Sequence, residues 1–185
     1  DEIHRGIAEN SRLRFHYFEY GVDKKRRLRR NGEWYIISPY SLSWDDENYY
    51  LIAYDDKADK IKHYRVDKME SVEVLHKEKR DGKKLFSKFD MAVYSKQIFG
   101  MFGGNLTDVK IRFDNSLIGV VVDKFSKNVF ISVNDDGTFD MSTKIMLSPN
   151  FYGWLFALKD KAVLLSPSSA KDEFLSFVED ILKMY

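Results

Sequence analysis

The chain has 185 residues, 44% of them hydrophobic and 32% charged, with a formal net charge of +1, so it can bury a core of useful size and is not a polycation as a whole. It has no cysteine, which excludes disulfides, thiolate nucleophiles and cysteine-ligated metal sites and fits a cytoplasmic protein. No apolar run approaches the length of a membrane span, and no signal-peptide pattern opens the chain, so no membrane partner is expected.

Residues 1–10 are expected to form a short helix with Ile3 and Ile7 on one face. From Arg12 the period becomes two, Leu13, Phe15 and Tyr17 alternating with Arg14, His16 and Phe18, which reads as a strand. Tyr20-Gly21-Val22-Asp23 supplies a turn. Short strands are then predicted at Leu28–Arg29, Trp34–Ser38, Tyr49–Tyr54, Ile61–Val66 and Ser71–Leu75. The punctuation between them includes Asn31-Gly32, residues 43–48 and residues 55–59. Five or six short strands in about 75 residues imply a small, strongly curved sheet or barrel.

Residues 77–88 are charged and contain Gly82, and read as a linker. A helix is predicted from about Asp90 to Phe99, stopped by Gly103-Gly104. Its apolar residues, with Tyr94, Ile98, Phe99, Met101 and Phe102 in the segment, are core or a contact with a second copy of the chain, so a homodimer is expected. Beyond it come a strand at Val109–Phe113, an amphipathic helix from Leu117 to Phe125 capped by Asp114 or Asn115, and strands at Val129–Val133 and Phe139–Leu147. A helix opened by Ser148-Pro149, a strand at Ala162–Leu165 and a last helix at Ser169–Lys183 follow. Strand–helix–strand–strand–helix–strand is the order of a ferredoxin-like βαββαβ unit. The fold class is therefore α+β, with a small barrel over 1–76, a connecting region over 77–105 and the second domain over 106–185.

The segments Ser38-Pro39-Tyr40-Ser41-Leu42, Asn48-Tyr49-Tyr50-Leu51-Ile52-Ala53-Tyr54 and Lys62-His63-Tyr64-Arg65-Val66-Asp67-Lys68-Met69 resemble the WYL domain family. Tyr49 stands where the family has its tryptophan, while Tyr50, Leu51, Arg65 and Asp67 match. Trp154-Leu155, the apolar run 162–165 and Pro167 resemble the C-terminal extension that follows many such domains. The resemblance implies an Sm-like, SH3-type barrel acting as the ligand sensor of a bacterial transcription regulator. Its ligand would be a nucleotide or a single-stranded nucleic acid, and its extension would support dimerisation. No helix-turn-helix is read in the 185 residues and the chain opens on Asp1 without methionine, so DNA binding is expected to reside in sequence outside this chain.

Strand parity tests the same idea independently. In residues 49–54, Tyr49, Leu51 and Ala53 share one face and Tyr50, Ile52 and Tyr54 the other, whereas His63 and Arg65 point away from the face of Tyr64 and Val66. If those strands pair, Tyr50, His63 and Arg65 converge, with Lys68 just past the strand end. Two cations, an imidazole and an aromatic plane suit a phosphate and a stacked base. The expected ligand-binding residues are Tyr40, Ser41, Tyr50, His63, Arg65 and Lys68. The plainer alternative is an ordinary exposed strand in which Arg65 pairs with Asp67.

The densest charge is Lys24-Lys25-Arg26-Arg27-Leu28-Arg29-Arg30. Between Arg12 and Arg30 there are eight basic residues against Glu19 and Asp23, whereas residues 85–185 carry a net −1. Anion binding is accordingly expected in the first half. The six cations Lys24, Lys25, Arg26, Arg27, Arg29 and Arg30 either follow a phosphate backbone, which would make the chain a stand-alone single-stranded nucleic-acid-binding module, or keep a solvated hairpin soluble. The four histidines show no metal-ligand spacing, and no P-loop, GxSxG or strand-linked GxGxxG occurs, so neither an enzyme nor a cofactor is expected.

Overall fold

A computed structural model describes residues 1–87, 90–101 and 103–185. The chain divides into two units, Asp1–Asp90 and Met91–Tyr185, each with its own core. The region expected to connect them is thus shared out. Residues 77–90 belong to the first unit and 91–105 to the second.

The first unit opens with helix α1 (Glu2–Ala8), capped by the Asp1 carboxylate, which accepts the His4 N–H at 3.1 Å. Strands β1 (Ser11–Tyr20), β2 (Arg26–Leu28), β3 (Tyr35–Asp45), β4 (Asn48–Asp55), β5 (Lys60–Arg65) and β6 (Met69–Lys79) follow, and a one-turn helix α2 (Lys83–Phe86) closes the unit. The sheet order is β2-β1-β3-β4-β5, with β6 also pairing β1, and all pairs are antiparallel. Alternation buries Leu13, Phe15 and Tyr17 of β1 with Tyr35, Ile37, Leu51, Ala53, Tyr64 and Val74 in one cluster.

That sheet curls. Tyr64 on β5 lies three strands from β1 in the sheet order, roughly 14 Å across a flat sheet. Its ring is nevertheless 5.3 Å from that of Phe15 and 5.7 Å from that of Tyr17. The Tyr17 hydroxyl also accepts the Arg65 backbone N–H at 3.0 Å. The result is a half-barrel. Among the described residues β5 and β6 share no pairing and are joined through a single 3-10 turn, Val66–Lys68.

Of the boundaries that differ from the sequence reading, three in the first unit change how its strands pair. β3 runs on to Asp45, leaving only Asp46 and Glu47 for a turn, both at positive φ. The strand expected at Leu28–Arg29 is Arg26–Leu28, because Arg30 and Asn31 adopt left-handed backbone (φ 52 and 53) and end the pairing. β6 continues through Lys79, where a bulge lets Lys79 pair with Ser11, so the first residues of the expected linker are strand.

The second unit contains helix α3 (Met91–Gln97), β7 (Asn105–Asp114), α4 (Ile118–Phe125), β8 (Phe130–Val133), β9 (Thr138–Leu147), α5 (Pro149–Ala157), β10 (Ala162–Ser166) and α6 (Ser168–Leu182). Its four-stranded antiparallel sheet has the order β10-β7-β9-β8. The Ser148 hydroxyl caps α5 by accepting the Phe151 N–H at 3.2 Å, with Pro149 in the first turn. Val109, Ile111, Phe113, Phe139, Met141, Ile145 and Leu164 pack from the sheet against Val121, Phe125, Phe151, Tyr152 and Leu155 of the helices.

Phe99 joins this core, its ring 5.3 Å from Phe151 and 5.2 Å from Trp154. Tyr94, Ile98 and Met101 are buried as well. These side chains are therefore taken up within the chain and do not form the exposed contact with a second copy that their spacing allowed. Phe102 lies outside the described residues. No helix among the described residues is long and apolar enough to cross a membrane.

Candidate functional site

The β4–β5 pairing supplies the geometry that parity required. Tyr50 lies directly opposite Arg65, and Ile52 opposite His63. On the other edge of β4, Ser43 is opposite Tyr50 and Ser41 opposite Ile52. Opposed residues point to the same side of a sheet. Two cross-strand rows therefore share the face turned away from the core, Ser43–Tyr50–Arg65 and Ser41–Ile52–His63. Ile52 is fully buried within that face, while the polar residues around it are partly exposed.

Arg65 is held in a fixed pose. Its Nε donates to Asp67 Oδ1 at 3.0 Å and its Nη2 to Oδ2 at 2.9 Å. These bonds hold the Asp67 carboxyl below its ordinary pKa, with burial opposing and the charges of Arg65 and Lys68 assisting. The same pairing raises Arg65 further. Burial also raises Tyr50, against the neighbouring Arg65 charge, so its hydroxyl stays protonated and can donate. Lys68 sits in the 3-10 turn after β5 and adds a second cation beside Asp67.

Tyr40 is placed differently. A register shift between Pro39 and Ser41 makes it the extra residue of a bulge in β3. Phe86 stacks on its ring at 3.6 Å and 3°, and the Arg80 guanidinium lies over it at 4.3 Å. Two groups at those distances cannot share one face of a ring, so Tyr40 is sandwiched. Its hydroxyl donates to the Asp81 carbonyl at 2.6 Å. Of the six expected residues, the register brings Ser41, Tyr50, His63 and Arg65 to one face, adds Lys68 at its end and leaves Tyr40 in a contact of its own.

Ser43 was not among the expected residues. It falls in the stretch 43–48 whose composition predicts a turn, and the continued alternation of Leu42 and Trp44 around it is the signal that places it in the strand.

The arginines of the basic run are mostly engaged at home. Arg26 pairs with Glu70 at 3.3 Å and lies over Phe18, Arg27 with Asp23 at 2.9 Å, and Arg29 with Glu19 at 3.4 Å. Arg30 covers the Tyr35 ring at 4.2 Å. Lys24 and Lys25 are exposed and, among the described residues, make no ion pair. Also among the described residues, no group of three His, Asp or Glu side chains is placed to hold a metal ion.

Comparison with known proteins agrees with the first unit's strands. Residues 1–74 match the WYL domain family. No curated protein sequence matches the chain. Among solved structures, a CRISPR Cas-related protein is similar at a TM-score of 0.51 and 15% identity, over 99% of this chain and 50% of that one. Proteasome accessory factor B/C (PafBC) of Arthrobacter aurescens aligns at a TM-score of 0.41 and 17% identity, over 99% of this chain and 26% of that one. The chain thus spans half or less of either structure's length, and the likeness to the first is one of fold.

Proposed function

We propose that the chain is the ligand-sensing region of a transcription regulator. In this reading the half-barrel is an Sm-like domain and the second unit its ferredoxin-like extension. The Tyr50/Arg65 face takes a nucleotide or a short single-stranded nucleic acid. The observation that carries the reading is the direct opposition of Tyr50 and Arg65, flanked by Ser43, Ser41 and His63. An aromatic plane beside a guanidinium, with hydroxyls on the next strand, matches a base and its phosphate.

The WYL match over residues 1–74 supports a sensing role for this unit. Binding would alter a DNA-binding domain outside this chain, and no catalytic step is assigned to the site. A homodimer belongs to the same reading, formed through surfaces other than the buried Tyr94, Ile98, Phe99 and Met101.

The test is a titration of the chain with labelled single-stranded oligonucleotides and with a panel of mono- and cyclic nucleotides, comparing wild type with Arg65→Ala. Micromolar or tighter binding that Arg65→Ala abolishes supports the site. Absence of binding by either class sinks it.

A further inference from the structure

Two hairpins carry most of the large apolar side chains that the first unit exposes. On the β1–β2 hairpin these are Tyr20, which is 56% exposed, Val22 and Leu28; on the β3–β4 hairpin they are Trp44 at 59% and Tyr49 at 57%. Trp44 and Tyr49 are opposed in register, and their rings meet edge to face at 4.6 Å. Exposed aromatic and aliphatic groups gathered in this way mark an interaction surface. Both hairpins project from one end of the half-barrel. β5 ends there at Arg65, opposite Tyr50 on β4, with its N–H bonded to the Tyr17 hydroxyl of β1 at 3.0 Å. From that point β4 runs back through Tyr49 and Asn48 to the Asp46–Glu47 turn, and β1 runs on through Tyr20 into the loop before Arg26.

The two hairpins are of opposite charge when the acids and bases around each are counted together. Residues 24–30 hold six cations against Glu19, Asp23, Glu33 and Glu70, a balance of +2. Around the other hairpin Asp45, Asp46, Glu47 and Asp67 stand against Arg65 and Lys68, a balance of −2. The excess sits at the tips. Lys24 and Lys25 on one hairpin and Asp46 and Glu47 on the other are exposed, and among the described residues none of the four makes an ion pair. Although the hairpins share one end of the half-barrel, no ion pair among the described residues joins them within the chain.

We infer that these hairpins form the contact between two copies of this chain, the β1–β2 hairpin of each docking on the β3–β4 hairpin of the other. One chain carries both halves of the complement at one end. A two-fold axis therefore repeats the contact, and the pairing closes as a dimer instead of growing into a filament. Trp44 and Tyr49 supply the apolar centre, covered by Tyr20 and Val22 of the second copy. Lys24 and Lys25 meet Asp46 and Glu47 of the second copy at the rim. The aromatic centre carries most of the affinity, and the charges set the register and exclude like-charged pairings. The inference gives a surface to the homodimer of the proposed function and needs no ligand at the Tyr50/Arg65 face.

The test is sedimentation velocity of the full chain up to high micromolar concentration. The expected result is a reversible monomer–dimer equilibrium that weakens as salt rises. Lys24→Glu with Lys25→Glu, or Asp46→Lys with Glu47→Lys, raises the dissociation constant about tenfold or more, and Trp44→Ala does the same. An equimolar mixture of the two charge-reversed variants dimerises like wild type, because each contact again joins opposite charges, and that recovery shows both variants to be folded. A mixture that stays monomeric overturns the inference. A dimer that survives both reversals overturns this surface and keeps the homodimer, whereas a monomeric wild type overturns both. Ligand binding is read separately, by the Arg65→Ala titration, so the Tyr50/Arg65 face stands or falls independently.

Discussion

Arg65 and Asp67 are joined by two parallel hydrogen bonds with only Val66 between them in sequence, the strand ending at the first and the 3-10 turn carrying the second. The pairing pre-forms the guanidinium fork in the plane a phosphate would use, but a carboxylate already occupies it. An anionic ligand must therefore displace Asp67 or share Arg65 with it.

Removing that competitor should strengthen binding. Asp67→Ala is expected to raise the affinity for a nucleotide about threefold to tenfold, since the exposed pair itself contributes little and a like charge leaves the site. Arg65→Lys should recover only part of wild-type binding, because an ammonium cannot make the two-point contact. Fluorescence anisotropy with a labelled mononucleotide reads both. Weaker binding by Asp67→Ala would mean that Asp67 orients Arg65 and does not obstruct it.

The Arg80–Tyr40–Phe86 stack holds the segment after β6 on the half-barrel. Asp81 strengthens it, its N–H donating to Ser38 Oγ at 2.9 Å and its carboxylate accepting from Arg12 at 2.6 Å. Gly82 takes φ +82 there, where a Cβ would come within 2.6 Å of the Tyr54 ring. Phe86→Ala should destabilise the first unit by about 1–2 kcal/mol through lost stacking and apolar burial. Gly82→Ala should cost about 1–3 kcal/mol from strain and the clash. Urea unfolding followed by tyrosine fluorescence measures these losses, and a midpoint unchanged by Phe86→Ala would show that the stack is not part of the folded unit.

Each unit also contains a nearly buried aspartate. At Asp55, burial raises the pKa, but Lys62 at 2.6 Å and the Tyr64 hydroxyl at 3.2 Å outweigh it and hold the group below its ordinary value. At Asp140 the bonds from Arg112 and Lys110 lower it strongly, against a smaller effect of burial. A carboxylate whose folded-state pKa is depressed stabilises fully above its unfolded value, here 3.8, and that stability is lost as the pH falls below it through the folded-state pKa. Both units should therefore weaken on acidification below about pH 4, and Asp140→Asn should flatten the dependence of the second unit alone. Calorimetric melts from pH 5 to 2 decide it; an unaltered slope in Asp140→Asn would assign acid sensitivity to other groups.

How far these features could be read beforehand depends on the distance over which they are determined. Alternation in the two short strands gave Tyr50 and Arg65 a common face on the condition that the strands pair, whereas their direct opposition is set by the hairpin's register, which alternation does not fix. The curl was legible only as a class of fold, because it is enforced by contacts such as Tyr64 with Phe15, 49 residues apart in the numbering. The Tyr40 sandwich could not be read, since Arg80 and Phe86 come from a stretch whose charge resembles a linker.

The salt dependence of binding separates a sensor from a module that tracks a strand. Each phosphate neutralised on a single strand adds about 0.7 to the slope of log K against log salt. Arg26, Arg27 and Arg29 are tied to Glu70, Asp23 and Glu19, and Arg30 lies over Tyr35, so the basic run offers mainly Lys24 and Lys25 to a phosphate backbone. With one or two phosphates at the Tyr50/Arg65 face, the slope should level off near about 1 as the oligonucleotide lengthens. Replacing Lys24 and Lys25 by alanine should leave that slope unchanged. Anisotropy titrations over a range of salt, with strands of increasing length, provide the measurement. A slope that keeps growing with length and falls in the Lys24/Lys25 variant would mean that Lys24 and Lys25 neutralise a phosphate backbone, and would turn the proposal from a ligand sensor into a single-strand-binding module.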